Sequence, residues 1–380
     1  MVILLMIAVG VIGANSLVLS PIAAEVARGL GAGSAAEVMT AAAVYGIGVA
    51  ASAMFLAPRA DRIGAAAALK TAIATLLVGL VLSTSAPSLW VLTIAQGISG
   101  IGAGMALPAI YGLAAQISAP GKEARTIGMV LTGWTLSMVG GVTLSAFIAD
   151  AFSWRAVFAL LATALVAIAV GLHRAPFPEH TPSGQATSPL SAMRVPGVWP
   201  ALFSVVMLGT GFYAIYNFLG AHLQIALDRP VSDGGFLTLS YGLGFGAAML
   251  LDPVLDRVGP RRGLIAVFTV LALFYTAMSR GAEDYRVLAA MMFVWGAIQH
   301  LGLNLTVGRL SMLDASQRGA IMGLNSTVMY LSVFFATVLF RPVFEGSGLA
   351  ACMLGSAMLA VLGAGEALLA RLRERRAACC

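Results

Sequence analysis

The chain has 380 residues, of which 59% are hydrophobic and only 10% are charged, with a mean hydropathy of +0.93 and a net charge of +6. A soluble domain carries about 25% charged residues, so this composition excludes a soluble protein and indicates an integral membrane protein. The apolar runs have the length of a membrane-spanning helix, about 20 residues, rather than of a barrel strand. The sequence therefore predicts an all-α membrane protein, and no nucleic-acid partner is needed to explain its basic residues.

Apolar runs of spanning length recur along the whole chain. They lie at 2–23, 35–57, 65–85, 89–117, 126–149, 154–173, 197–222, 234–253, 263–280, 286–309, 319–342 and 347–370. The first lacks a basic leader region and is expected to be a span rather than a signal peptide. These runs predict twelve transmembrane helices.

One loop differs from the others because it is longer and rich in Pro, Ser and Thr, which is typical of a linker. It divides the chain into two halves of six helices. The predicted organisation is an N-terminal bundle at 1–173, a linker at 174–196, a C-terminal bundle at 197–370 and a tail at 371–380.

The distribution of Lys and Arg predicts the orientation, since inner loops carry an excess of basic residues. With the N-terminus inside, most basic residues fall in inner loops. The exceptions on the outer side are Arg28, Arg155, Arg229, Arg280, Arg286 and Arg341. Both termini and the linker are therefore expected to be cytoplasmic.

A short charged turn occurs twice, half a chain length apart. Asp61-Arg62-Ile63-Gly64 lies between the second and third runs, and Asp256-Arg257-Val258-Gly259 lies between the eighth and ninth. Glycine permits the positive φ of a tight turn. The repeat predicts a gate at the inner face, and the alternative is a simple topology signal, although acidic residues add little to topology. The predicted gating residues are Asp61, Arg62, Gly64, Asp256, Arg257, Gly259 and Arg261.

Polar side chains inside the spans follow a period of three helices, being concentrated in the first, fourth, seventh and tenth. Intramembrane polar groups are costly and usually face a cavity or a partner helix, so these four helices are expected to be central. The residues predicted to line a substrate pocket are Asn15, Tyr45, Gln96, Trp134, Tyr213, Asn217, Tyr241, Gln299, His300, Asn304 and Asn325. The alternative is that they are hydrogen bonds between helices, each contributing about 0.6 kcal/mol.

These features together resemble the major facilitator superfamily, and within it the twelve-helix drug and sugar efflux permeases. The first charged turn matches the family's loop motif at Asp61, Arg62 and Gly64, and the second matches at Asp256, Arg257, Gly259 and Arg261, with Asp252 in place of an opening Gly. The resemblance implies two pseudo-symmetric six-helix bundles, the major facilitator fold. It also implies alternating access, proton antiport, efflux across a bacterial inner (plasma) membrane and a monomeric state.

The chain departs from the family's pattern at two places linked to antiport. Thr93 stands where the family has an Arg in helix 4, and helix 5 reads Gly140-Gly141 where the family has a Pro. What remains in helix 5 is a small residue at every fourth position, which allows close approach of another helix. These departures favour an uncoupled facilitator or uniporter as the alternative mechanism.

His300 is the predicted proton-coupling residue, because an ordinary histidine can change its protonation within the physiological pH range. The alternative is a neutral His300 hydrogen-bonded to Asn304. All Asp and Glu residues are expected in loops or at span ends, and no acid is expected near His300. Without a central charge, a neutral or amphipathic small molecule is the expected substrate, since an unpaired buried charge is costly.

The predicted function is thus a secondary active transporter that exports a drug- or sugar-like compound, with the substrate, the lipid bilayer and protons as its partners. A non-transporting membrane sensor of the same fold is the second class. An enzyme is not expected, because His300 lacks the partners of a catalytic site. No cofactor is expected, and no metal either, since Cys352, Cys379 and Cys380 lack metal-ligand spacing.

Overall fold

The structure, a computed structural model, describes residues 1–59, 63–119, 122–175, 189–314 and 316–378. All regular structure in these ranges is helical, which confirms the predicted fold class. The side chains of Arg59, 123–125, Asp256, Arg261 and 373–378 lie outside the described part.

The first half contains six spans, numbered α1 to α6. Helix α1 has two segments, Val2–Leu17 and Leu19–Leu30, bent by 54°. It is followed by α2 (Ala35–Phe55), α3 (Ala65–Thr84) and α4 (Leu89–Gln116). Helix α5 runs through Glu123–Leu136, a π-helical stretch Ser137–Val142 and Thr143–Ala151, and α6 is Trp154–Arg174.

The second half begins after a short helix, Pro189–Ala192. Its spans are α7 (Val198–Ile225), α8 (Val231–Ala247, continuing through a 3-10 turn Ala248–Leu251 into Asp252–Val258), α9 (Pro260–Arg280) and α10 (Tyr285–Ser311). The last helical stretch, Arg318–Ala378, breaks at Gly348 and so forms α11 (318–347) and α12 (349–378). Helix continues into the predicted tail as far as Ala378.

Helix ends follow from local sequence. Ser34, Ser88 and Ser153 cap the N-termini of α2, α4 and α6, each accepting a main-chain N–H three residues on. Gly64 and Gly259 have φ values of +87° and +78°, which confirms the positive φ expected at the glycine of each charged turn. We call the end of the bundle that carries these turns the inner end, and the opposite end the outer end.

The two halves pack on each other along three helix pairs, α1 with α7, α2 with α11, and α5 with α8. Glycines set the separation at these contacts. A Cβ added to Gly46 of α2 would lie 2.7 Å from the Tyr330 carbonyl oxygen of α11, and one on Gly242 of α8 would lie 2.8 Å from Val139 of α5. The backbones of the two halves are therefore in direct contact.

The small residues of α5 pack against α1, as their spacing predicts. A Cβ on Gly133 would lie 2.3 Å from the carbonyl oxygen of Met6, and one on Gly141 would lie 2.8 Å from Ala14. The π-helical stretch occurs at this contact, which shifts the side chains that follow it relative to a regular α-helix.

Burial follows the predicted three-helix period only in part. In the most apolar 18-residue stretch of each helix, 61% of the residues of α4 and 67% of those of α7 are buried, against 39% in both α3 and α6. However, the share is also 67% in α2 and only 39% in α10. Helix α2 is this deeply buried because it packs on both α4 and α11, which cover it on two sides.

Candidate functional site

The middle of the boundary between the halves holds two tyrosines that face each other. Tyr45 of α2 and Tyr330 of α11 make an edge-to-face contact with ring centroids 6.3 Å apart. Tyr45 is only 2% exposed, and its hydroxyl lies next to the Asn15 side chain without a hydrogen bond of normal geometry to any described residue. Such orphaned hydroxyls are rare in folded proteins, so this group is available to a ligand.

A chain of amides leads from this point into the first half. The Asn15 amide nitrogen donates to Gln96 Oε1 at 3.4 Å, and Gln96 Nε2 donates to the Ser83 hydroxyl at 3.0 Å, which ties α1, α4 and α3 together. Asn15 Oδ1 is buried without a partner and lies beside Tyr45. Gln96 is therefore part of the packing, while Asn15 presents a free acceptor at the boundary.

Trp134 lies on α5, in the same half of the molecule as Tyr45. It is half-buried, and its ring N–H donates to the Tyr111 hydroxyl of α4 at 3.4 Å. Tyr111 did not stand out in the sequence, because a single tyrosine in an apolar helix carries no pattern.

The predicted tyrosines of α7 and α8 join an aromatic cluster instead of a single open pocket. Phe212 contacts Tyr213, Tyr241 and Trp295 with ring centroids 4.9, 5.5 and 5.2 Å apart. Tyr241 is 1% exposed and packs as core, whereas Tyr213 is half-buried and lies towards Tyr45. The structure thus brings Tyr213, and not Tyr241, near the tyrosines of the boundary.

The remaining predicted amides lie in different places. Asn217 donates to the Thr337 hydroxyl of α11 at 3.0 Å, which is a contact between helices of the second half. Gln299 is 6% exposed, and its Oε1 atom has no partner among the described residues. Asn325 is half-buried in α11, one turn and a half before Tyr330 along the chain.

His300 has an acidic partner, contrary to the expectation from the sequence. Its Nε2 atom lies 2.9 Å from Oδ1 of Asp252, and Asn304 donates to the same oxygen at 2.9 Å. The expectation was wrong because Asp252 was placed at the inner end of α8 by its position in a motif. The 3-10 turn before Asp252 changes the helical rotation at this point, and the carboxylate lies against the face of α10.

A second charged group, also missed, lies nearer the inner end. Arg309 of α10 forms two hydrogen bonds to Glu366 of α12, at 2.7 and 2.8 Å, and a third at 3.1 Å to Ser204 of α7. The side chains of Arg309 and Glu366 are 10% and 15% exposed. From the sequence Arg309 was only an orientation signal, whereas it links three helices of the second half.

The outer end of the boundary is closed by contacts between α1 and α7. The Ser20 hydroxyl donates to the Tyr216 carbonyl oxygen, the Tyr216 hydroxyl donates to the Leu17 carbonyl oxygen at 3.4 Å, and Gln224 donates to that of Pro21 at 3.0 Å. Pro21 has no N–H to bond Leu17 within the helix, which frees this carbonyl and bends α1.

Above these contacts lies an open depression of about 760 Å³ at the outer surface. Both halves line it, with charged residues of either sign. They include Glu25, Arg28, Asp150, Asp228 and Arg229. Its position over the closed α1–α7 contact is that of an outer mouth of the boundary.

The predicted inner gate lies largely outside the described residues. This applies to Asp61 and Arg62, and to the side chains of Asp256 and Arg261. Arg257 is exposed. The described residues hold no group of three or more His, Cys, Asp or Glu side chains that could bind a metal.

Comparison with known proteins identifies the family. The model of the Major Facilitator Superfamily matches residues 5–337. The chain belongs to this superfamily. It is therefore a transporter of the multi-pass membrane type, and the resemblance seen in its motifs is confirmed.

Similar sequences are those of bacterial superfamily members. The chain is 26% identical over 360 residues to the uncharacterized MFS-type transporter YwfA of Bacillus subtilis, which covers 92% of this chain and 87% of that protein. It is 25% identical over 298 residues to a protein of Pasteurella multocida named "Probable sugar efflux transporter", covering 74% of this chain and 70% of that protein.

Solved structures agree on the fold of this superfamily member. A D-xylose–proton symporter superposes with a TM-score of 0.79 at 14% identity, with 96% of each chain covered. The xylose transporter XylE of E. coli, in a partially occluded inward-open conformation, superposes with a TM-score of 0.74 at 13% identity, with 96% of this chain and 95% of that one covered.

Proposed function

We propose that this superfamily member is a secondary active transporter that exports a neutral or amphipathic, drug- or sugar-like molecule in exchange for protons. It lies in a bacterial inner membrane as a monomer with both termini cytoplasmic. The observation that supports the substrate class is a pair of neutral polar groups at the boundary, Asn15 Oδ1 and the Tyr45 hydroxyl, which are buried next to each other and make no hydrogen bond of normal geometry to the described residues.

The arrangement of the halves supports alternating access. Helices of the two halves meet along three pairs, and the outer α1–α7 contact consists of hydrogen bonds and close backbone contacts. Rocking the bundles at 1–173 and 197–370 about these pairs opens one end while the other closes. The charged turns at Asp61 and Asp256 then latch the inner end.

The substrate class follows from which groups are free. A hydroxyl and an amide oxygen at the centre offer hydrogen bonds, and Tyr213 and Tyr330 offer aromatic walls. A site that hydrogen-bonds substrate hydroxyls rejects analogues that lack them. The printed name of the Pasteurella multocida relative agrees with a sugar-like substrate and with export.

His300 supports coupling to protons. It is a titratable residue near the middle of α10, with a side chain 11% exposed. A residue of this kind inside a span is typical of proton pathways. A single protonatable site that releases its proton when substrate binds, and takes one up when substrate leaves, is sufficient to exchange one proton per cycle.

The test is proton flux in liposomes. Purified protein is reconstituted with an internal pH dye, a pH gradient is imposed, and lactose, an alkyl thioglycoside and chloramphenicol are added in turn. We expect at least one compound to dissipate the gradient with wild-type protein and with His173→Gln, a control at the exposed end of α6, but not with His300→Gln.

Two other outcomes identify the alternatives. Equilibration of a labelled compound without proton movement indicates an uncoupled facilitator or uniporter. Movement of neither protons nor compound contradicts the proposed transport of these chemical classes and favours the membrane sensor.

A further inference from the structure

We propose that Asp252 is a positioning residue and counter-ion for His300, so that the coupling proton is held by a His–Asp pair and not by a lone histidine. This inference rests on the proposed proton coupling and goes beyond it by assigning a second residue to the site.

The geometry fixes which nitrogen of His300 faces the carboxylate. Nε2 lies 2.9 Å from Oδ1 of Asp252, within hydrogen-bond distance. An ionised carboxylate only accepts hydrogen bonds, so it selects the tautomer that carries its proton on Nε2. Nδ1 is then left as the atom that accepts a further proton.

Asn304 provides a second hydrogen bond to the carboxylate of Asp252. It is one helical turn from His300 on α10, and its amide donates to the same Oδ1 atom at 2.9 Å. The carboxylate is thereby held between two donors on one face of α10. On the other side, the ring of Phe245 makes an edge contact with His300 at 4.8 Å between centroids, which limits the freedom of the imidazole.

The charge of the pair changes with the bound proton in a way that suits a membrane site. With Nδ1 unprotonated, the imidazole is neutral and the carboxylate gives the pair a charge of −1. When Nδ1 takes a proton, imidazolium and carboxylate together are neutral. Without Asp252 the same proton would leave an uncompensated positive charge at a side chain only 11% exposed, which is costly.

The exposure of the two side chains indicates from which side of the membrane the pair exchanges protons. Asp252 is 32% exposed and lies at the start of the last segment of α8, nearer the inner end, whereas His300 lies deeper. An ionised carboxylate avoids lipid, so its exposed side is oriented towards water or headgroups at the inner end. Protons therefore exchange with the inner side next to Asp252.

No other charged group described around α10 can serve as the counter-ion of His300 in place of Asp252. On α10 and α12, Arg309 and Glu366 are paired with each other. On α8 and α9, Arg257 and Arg262 are exposed, and the side chains of Asp256 and Arg261 lie outside the described part. Among the described residues, Asp252 is the charged group that contacts His300.

The first experiment separates the charge of Asp252 from its hydrogen bond. Asp252→Asn keeps an acceptor for Nε2 but removes the charge. In the liposomes described above, we expect Asp252→Asn to lower proton-driven accumulation of the transported probe at least ten-fold. The accumulation that remains should no longer depend on pH. Asp252→Glu, which keeps the negative charge, is expected to restore part of the accumulation.

The matched control is Asp314→Asn, which removes an exposed carboxylate hydrogen-bonded to Ser316 in the loop after α10. It is expected to behave as wild type. The inference is overturned if Asp252→Asn accumulates probe like wild type while His300→Gln does not, since Asp252 would then only join α8 to α10.

The second experiment needs no substrate. In ¹⁵N-histidine NMR spectra of the purified protein, the His300 signals are assigned by their loss in His300→Gln. We expect the Nε2–H tautomer in wild type and in Asp252→Asn, and a mixture of tautomers in Asp252→Ala. Identical spectra in wild type and Asp252→Ala contradict the pair. If no probe moves protons in wild type, the coupling proposal fails, and this spectrum alone decides whether the pair exists.

Discussion

The Ser20 hydroxyl of α1 donates a hydrogen bond to the main-chain carbonyl of Tyr216 in α7, across the boundary between the two halves. Gly220, one turn further along α7, makes this contact possible, because a Cβ there would lie 2.0 Å from the Ser20 carbonyl oxygen. The outer end is thus closed at this crossing by a hydrogen bond and direct backbone contact.

Replacing Gly220 by Val should favour the outward-open state. The added side chain overlaps α1, and overpacking costs about 1–3 kcal/mol, which the protein avoids by separating the two helices. The measurement is the labelling rate of Gln224→Cys by a membrane-impermeant maleimide, in a background with Cys352, Cys379 and Cys380 changed to Ser. We expect a rise of roughly ten-fold.

Gly128→Ala is the control for this experiment, since a Cβ at that position meets open space. It should leave the labelling rate unchanged. An unaltered rate in Gly220→Val would mean that the α1–α7 contact does not close the outer mouth.

Gln96→Leu should lower stability without touching the boundary itself. The change removes the acceptor of the Asn15 amide and the donor to Ser83. A buried donor left without a partner costs about 1–3 kcal/mol. The check is the free energy of unfolding in detergent, compared with Gln116→Leu at the exposed end of α4. Equal values for both variants would show that the amide chain contributes nothing.

Tyr45→Phe distinguishes a binding group from a packing group. Its hydroxyl has no partner, so removing it should leave the free energy of unfolding unchanged or slightly raised. Loss of one hydrogen bond to substrate should weaken apparent affinity about ten-fold, or about 1.4 kcal/mol. Flux measured against probe concentration provides the affinity, and an unchanged value would assign Tyr45 to packing.

Tyr275→Phe is the control for Tyr45→Phe, because here the hydroxyl has a structural partner and lies away from the proposed binding site. The Tyr275 hydroxyl accepts a hydrogen bond from Trp295 at 3.0 Å, away from the boundary. This variant should lose about 1 kcal/mol of stability and keep its apparent affinity.

Glu366→Ala should destabilise the second half. It leaves Arg309, which is 10% exposed, without its partner, and breaking such a pair costs about 3–5 kcal/mol. The double variant Arg309→Met/Glu366→Leu should recover most of this loss, because no charge remains uncompensated.

Unfolding of the two variants in detergent checks this, with Glu25→Ala as the comparison. Glu25 pairs with Arg28 at the surface, and such exposed pairs contribute at most about 1 kcal/mol. A Glu366→Ala protein as stable as Glu25→Ala would show that the inner pair is not a stabilising link.

The sequence by itself determined the membrane class, the helical spans and the positive φ of Gly64 and Gly259. These features depend on local properties: the length of an apolar run and the conformational freedom of glycine. The superfamily followed from the same local motifs.

Only the tertiary structure decided which side chains meet. Asp252 and His300, like Arg309 and Glu366, are far apart in the chain, and their contact depends on the rotation and depth of neighbouring helices. The 3-10 turn in α8 changes the rotation and the depth of Asp252, and the periodicity of the sequence does not predict this turn. The same holds for Tyr45 and Tyr241, which look alike in the sequence but occupy the boundary and the core, respectively.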